Sequence, residues 1–208
     1  MDFEAVKNAM AELEEDTLLG YMNDVMSDGG KEVDMAVSAM QDGMQEIGRL
    51  FEEGEYFVAD LIYAGEIMGE AMEILKPALG DGSGDKIGRM IMCTVKDDLH
   101  DIGKNIVKAM LEAAGFEVLD LGIDAAPADI VRTAKEENIH IIALSGVLTL
   151  SLDSMKATVD AFTADGSRGD VKIIIGGAPV TEDACKAVGA DAWAQSPQKT
   201  VDICKGWA

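Results

Sequence analysis

The sequence predicts an α/β protein in two parts, a four-helix bundle followed by a five-stranded parallel sheet with helices on both faces. Three observations carry that expectation. From Phe3 to Leu79 apolar residues recur at helical spacing, with a single glycine pair and no proline before Pro77. Next, Gly80-Asp81-Gly82-Ser83-Gly84-Asp85 sets glycine at every second position among polar residues, the composition of a linker or hinge. Beyond it, short apolar runs alternate with amphipathic segments.

In the first part the spacing predicts helices over Phe3–Leu13, Thr17–Met26, Glu32–Phe51 and Phe57–Leu79, with Asp16 and Gly29-Gly30 as punctuation. Connections this short favour antiparallel neighbours. The segment is rich in methionine: Met40 with Met44, and Met68 with Met72, stand four apart and share a helix face, while Met35 adds a further one. Methionine fills irregular gaps, so both a plain helix interface and an adaptable surface over a large ligand stay open. The second part predicts strands at Ile87–Val95, Phe116–Asp120, His140–Ser145, Val171–Ile175 and Ala192–Ala194. Helices are expected at Gly103–Ala114, Ala128–Glu137, Leu152–Ala164, Thr181–Val188 and Gln198–Lys205. The domains are accordingly drawn as 1–84 and 85–208.

Composition narrows the class. The 208 residues are 48% hydrophobic and 27% charged, which fits neither a disordered chain nor one with a membrane span of about 18 apolar residues. A formal charge of −22 disfavours nucleic acid and anionic lipid, since phosphate binding needs clustered Lys and Arg. The start, Met1-Asp2-Phe3-Glu4-Ala5, lacks the basic and apolar regions of a secretory signal, so the cytoplasm is expected. Cys93, Cys185 and Cys204 form no C-x-x-C pair and read as buried thiols.

Ligands of open parallel sheets sit at the carboxyl ends of the strands. There the sequence gathers Asp98 and His100 after the first strand, Gly122 and Asp124 after the second, Ser145, Thr149 and Ser151 at the third, and Gly176-Gly177-Ala178-Pro179 at the fourth. In Asp98-Leu99-His100-Asp101-Ile102-Gly103, an imidazole stands two residues from a carboxylate able to hold its second ring nitrogen. A glycine three residues on lets a bulky group approach the backbone. His140 has no such partner nearby and reads as exposed or structural.

The order Asp98-x-His100-x-x-Gly103, then Ser145-x-Val147, then Gly176-Gly177 resembles the signature of cobalamin-binding proteins of the base-off, histidine-on type. With a four-helix cap ahead of a flavodoxin-like (Rossmann-type) domain, nearly the whole chain resembles the methyltransferase cognate corrinoid proteins and the cobalamin module of methionine synthase. The family usually has leucine where Val147 stands.

The resemblance implies the following roles. His100 replaces the lower cobalt ligand, Asp98 bonds its other nitrogen, and Ser151 stands behind Asp98. Gly103, Gly176 and Gly177 give clearance to the buried nucleotide tail, Ser145 offers it a hydroxyl, Val147 and Leu148 wall it, and Thr149 adds a polar contact. Phe57, in Gly54-Glu55-Tyr56-Phe57-Val58, lies over the upper corrin face; its alternative is a staple residue starting the fourth helix. The resemblance further implies a methyl carrier without catalysis of its own. A substrate-specific methyltransferase, with aromatic O-demethylation favoured, loads cobalt, and a second methyltransferase delivers the methyl to tetrahydrofolate or another acceptor in anaerobic one-carbon metabolism. A corrinoid reductive activating protein restores the cofactor. Gly82 and Gly84 are expected to be the hinge that uncovers the upper face.

Other classes fit less well. A cobalamin-binding regulatory or sensor module shares the cap and sheet but normally carries a DNA-binding or signalling part. A receiver-type signalling domain matches Lys96-Asp97-Asp98, yet needs an aspartate where Ser145 stands and a lysine where Trp193-Ala194-Gln195 offers none. A cobalamin mutase would need a catalytic barrel for which no residues remain. A metal hydrolase on Asp98, His100 and Asp101 would rest on too few histidines.

Overall fold

A computed structural model describes residues 1–79 and 86–208. The expected linker Gly80–Asp85, with the hinge glycines Gly82 and Gly84, lies outside the described residues. The chain divides into two compact units, Met1–Lys86 with Glu112–Gly115, and Ile87–Leu111 with Phe116–Ala208.

The first unit consists of α1 (Phe3–Ala11), α2 (Glu15–Ser27), α3 (Val33–Glu52) and α4 (Val58–Leu79). Asp2 caps α1, its carboxylate accepting from the Glu4 and Ala5 amides at 3.1 and 3.3 Å. Asp16, expected as punctuation, instead lies in the first turn of α2, where an acid suits the positive end of the helix dipole. The break falls earlier, at Leu13, which turns the chain with φ 59° and no glycine to advertise it. Between α2 and α3, Gly29 and Gly30 both have positive φ, and a Cβ on Gly30 would fall on that of Ala78 in α4. Helices α1 and α3 approach closely at Gly43, whose added Cβ would stand 2.6 Å from the Met10 Cβ. Met10, Met22, Met40, Met44 and Met68 are buried core, so the methionine pattern chiefly marks helix packing; Met35 faces solvent.

The second unit alternates β1 (Gly88–Thr94), α5 (Ile102–Ala113), β2 (Phe116–Asp120), α6 (Pro127–Glu136), β3 (Ile141–Ser145), α7 (Ser151–Asp165), β4 (Lys172–Gly176), α8 (Glu182–Val188), β5 (Ala192–Ala194) and α9 (Pro197–Lys205). The five strands are parallel, in the order β2-β1-β3-β4-β5. Central strands buried on both faces are continuous apolar runs, as Ile141–Leu144 and Ile173–Ile175 show. Ile91, Cys93, Ile142, Leu144, Ile173 and Ile175 share one core with α6, α7 and α8. Because β2 lies on the opposite side of β1 from β3, right-handed crossovers send α5 to the other face. Each element agrees with its sequence-based expectation to within one residue except at the C-terminal end of α1 and the start of α2, which differ by two; a short 3₁₀ turn at Arg168–Asp170 is additional.

This strand order reverses direction between β1 and β3, and the crevice outside their carboxyl ends is where such sheets take ligands. Register places Thr94, Ser145, Gly176 and Ala194 in one row across that edge.

Candidate functional site

The turn after β1 carries Asp98 and His100, and the loop after β3 folds over it. Asp98 is fully buried. Its Oδ1 accepts from the His100 amide at 3.0 Å and faces His100 Nδ1 at 2.9 Å. Its Oδ2 accepts from the Val147 and Leu148 amides at 2.7 and 3.3 Å and from the Ser151 hydroxyl at 2.5 Å. Burial alone would raise the Asp98 pKa, but the bonds from Ser151, the His100 and Val147 amides and the His100 ring outweigh it and hold the carboxyl well below its usual range. An ionised Asp98 requires Nδ1 of His100 to be the donor. The neutral ring then keeps its lone pair on Nε2.

His100 is half exposed (53% of its side chain), and no bond among the described residues occupies Nε2. Exposed apolar side chains lie on the loops at the same sheet edge: Leu99 and Ile102 close to His100 in sequence, Val147, Leu148 and Leu150 on the loop that bonds Asp98, and Ile123 after β2. Exposed apolar residues gathered on neighbouring loops mark a binding surface. A half-exposed imidazole with one ring nitrogen unbonded among the described residues, on such a surface, suits a large apolar group bearing a metal.

The glycines shape the same edge. No atom lies within 4 Å of a Cβ added to Gly103, so space opens beside the first turn of α5. Gly177, at φ 121°, comes so near the β3 loop that a Cβ would fall on the Gly146 carbonyl, and one on Gly176 would stand 3.2 Å from the Ala194 carbonyl. Ser145 is half-buried at the end of β3, and Thr149 is exposed in the turn before α7.

The structure therefore brings Asp98, His100, Val147, Leu148 and Ser151 into one bonded group, with Gly103, Ser145, Thr149, Gly176 and Gly177 on the same edge. Phe57 belongs to the other unit, where it is 68% exposed ahead of α4 with Val58, Ile62 and Tyr63 also exposed. Its amide donates to Asp60 Oδ2 at 2.7 Å, a local cap on α4. Sequence reasoning passed over Gly146, whose added Cβ would stand 2.5 Å from the Ser151 Cβ; its neighbours in sequence, Ser145 and Val147, were the only signal. Thr94 and Asp124 were missed as supports of the turn.

Other chemistries find little here. Both Asp98 oxygens are spent, Asp101 bonds Asn105, and among the described residues no group of three or more His, Cys, Asp and Glu is arranged to hold a bare ion. Burial pushes the Cys93 and Cys204 thiols up to about 12 and raises that of Cys185, so none offers a thiolate at neutral pH. His140 rests against the Asp170 carbonyl through Nδ1 at 2.9 Å, a structural contact. No helix among the described residues is long and apolar enough to cross a membrane.

Comparison with known proteins places the chain among B12-binding proteins. Two family models, each described as a B12 binding domain, match residues 2–76 and 88–201. A dimethylamine corrinoid protein of Methanosarcina acetivorans is 39% identical over 164 residues, covering 78% of this chain and 77% of its own. The crystal structure of a cobalamin-binding protein from Desulfitobacterium hafniense DCB-2 superposes with a TM-score of 0.89 at 47% identity, covering 100% of this chain and 99% of that one. The methanol:cobalamin methyltransferase complex MtaBC of Methanosarcina barkeri matches with a TM-score of 0.82 at 24% identity, over 98% of this chain and 78% of that one, a likeness of fold.

Proposed function

Because the chain belongs to the cobalamin-binding corrinoid proteins of methyltransferase systems, we propose that it carries a methyl group between two methyltransferases on a corrinoid whose lower ligand is His100. A bound corrinoid supplies a cobalt centre able to take up and give away a methyl group. The chain's own residues hold and aim it. His100 presents Nε2 as the ligating atom, and Asp98, fixed by Ser151 and the β3 loop, sets tautomer and ring orientation through Nδ1.

The observation that carries the reading is that imidazole: one nitrogen tied to a buried carboxylate, the other without a bond among the described residues, on a turn whose loops expose apolar side chains. Leu99, Ile102, Val147, Leu148 and Leu150 give an apolar seat. The space beside Gly103, with Ser145, Thr149, Gly176 and Gly177 along the edge, is proposed to take the displaced nucleotide tail, the Ser145 hydroxyl bonding its base. Phe57 is proposed to cover the upper face. The domains are taken as 1–84 and 85–208.

The partners follow from the same reading. A substrate-specific methyltransferase loads the carrier, a second passes the methyl to tetrahydrofolate or another acceptor, and a reductive activating protein restores the cofactor. The donor is set by the first partner. Methoxylated aromatics and dimethylamine are the two classes to assay first, the latter because the Methanosarcina relative is named for it.

Reconstitution tests the reading. The wild-type protein with cobalamin should show the nucleotide base displaced and one protein imidazole on cobalt; His100→Ala should lose the imidazole signature while retaining corrinoid. A wild-type spectrum without imidazole coordination would sink the assignment of His100.

A further inference from the structure

We propose that Thr94, Asp124 and Lys96 form a clamp that positions the turn carrying His100 and so sets how firmly the imidazole is held in its coordinating pose. The second half of this statement rests on the reading of His100 as a cobalt ligand. The first half concerns the protein alone.

Asp98 is gripped twice, by two different loops. Its carboxylate belongs to the β3 loop, as described. Its carbonyl is held from the other side: the Thr94 hydroxyl donates to it at 2.5 Å, and the Asp124 amide approaches it at 3.2 Å. Thr94 is the last residue of β1 and fully buried, and its hydroxyl also accepts from the Asp124 amide at 2.9 Å. One buried hydroxyl thus ties the His100 turn to the loop after β2. A hydroxyl that donates and accepts at once has no apolar substitute.

Asp124 closes the ring from outside. Its Oδ1 accepts from Lys96 Nζ and from the Asp97 amide, both at 2.7 Å. Asp97 and Asp124 face one another in the left-handed region, at φ 66° and 56°. Two such non-glycine residues, one on each loop, persist only where surrounding bonds over-determine them. The main chain adds its own seam, with Thr94 N bonded to the Gly122 carbonyl and Ala125 N to the Thr94 carbonyl. Residues 95–98 are therefore pinned before the chain reaches Leu99 and His100.

The peptide joining Asp98 to Leu99 is the one whose carbonyl Thr94 fixes, and its tilt decides where the next residues point. Without that hydroxyl, the Asp98 carbonyl keeps only the longer bond from the Asp124 amide, and the turn gains freedom just ahead of His100. Losing a buried bond of this kind shifts an equilibrium by about tenfold.

Two readouts on the full chain separate the halves of the proposal. In the protein without corrinoid, Thr94→Val should speed hydrogen exchange of the His100 amide about tenfold, Asp124→Ala should do so in part, and Thr94→Ser should restore the wild-type rate. With cobalamin reduced to cobalt(II), the imidazole nitrogen splitting in the electron paramagnetic resonance spectrum should fall in Thr94→Val relative to the displaced form, and return in Thr94→Ser. Unchanged exchange in both Thr94→Val and Asp124→Ala overturns the clamp. Altered exchange with no imidazole splitting in the wild type instead removes His100 as ligand and leaves the clamp as a property of the turn. Should Thr94→Val fail to fold, Asp124→Ala, on the partly exposed rim, carries the same test.

Discussion

The Asp98 carboxylate accepts five hydrogen bonds and gives up all contact with water, which makes it the group through which the site is both built and vulnerable. Removing one donor leaves part of a buried charge uncompensated. Ser151→Ala should cost the second unit about 1–2 kcal/mol, read from denaturant midpoints, with corrinoid affinity reduced far less than by filling the space beside Gly103. A midpoint equal to wild type would mean that the short Ser151 bond contributes nothing net. The Asp98, His100 and Ser151 set was legible because its members follow two neighbouring strand ends, those of β1 and β3, in a chain that carries the spacing of a known signature. Thr94 and Gly146 were not. A threonine closing a strand and a glycine between Ser145 and Val147 look ordinary in sequence, and their importance comes from neighbours 30 and 5 residues away that only pairing of the strands and loops brings close.

At the scale of elements, periodicity gave the helices and strands because each buries one stripe or a whole run, whereas the α1–α2 break was expected two residues late because Leu13 turns left-handed without a breaker residue. Strand-to-strand approach makes Gly177 stricter than Gly176. Gly177→Ala combines a positive φ with a Cβ on the Gly146 carbonyl and should destabilise the sheet by more than about 2 kcal/mol, Gly176→Ala by clearly less; equal losses would show that the two loops separate freely. A second link joins α5 to β2. Lys104 is 2% exposed and donates to Asp120 Oδ2 at 2.5 Å and Asn105 Oδ1 at 2.7 Å. Burial pushes the Asp120 pKa up, but the bonds from Lys104 and the Gly122 amide, with the charges of Lys104 and Lys108, bring it below the usual 3.8. A depressed carboxylate stabilises the fold above its unfolded pKa and loses that contribution as pH falls through its folded one. Lys104→Met should therefore lower stability by about 1–3 kcal/mol at neutral pH, and the gap from wild type should close as pH drops below about 4. A gap independent of pH would mean that lost packing, and not the ion pair, is responsible.

Over the whole molecule, charge and core are divided unequally. Residues 1–86 hold 21 acidic and five basic side chains, while residues 87–208 hold 18 and 12. The helical unit thus carries most of the net charge of −22, on surfaces where like charges repel and salt screens them within about 8 Å at physiological ionic strength. Each unit also has its own buried core, methionine-rich in the helices and built on β-branched strands in the sheet. Two cores with different electrostatic loads should melt as two transitions that respond differently to salt. Raising the ionic strength from very low to about 0.15 M should lift the midpoint of the helical unit by more than that of the sheet unit, followed by amide exchange at Met40 and at Ile142 as reporters of the two cores. The sheet unit produced alone, from Ile87 onward, should then fold and take up cobalamin with the imidazole of His100 on cobalt. A single transition with one shared salt response, or a sheet fragment that fails to fold, would make the two units one cooperative body and remove the basis for treating the ligand turn as independent of the helices.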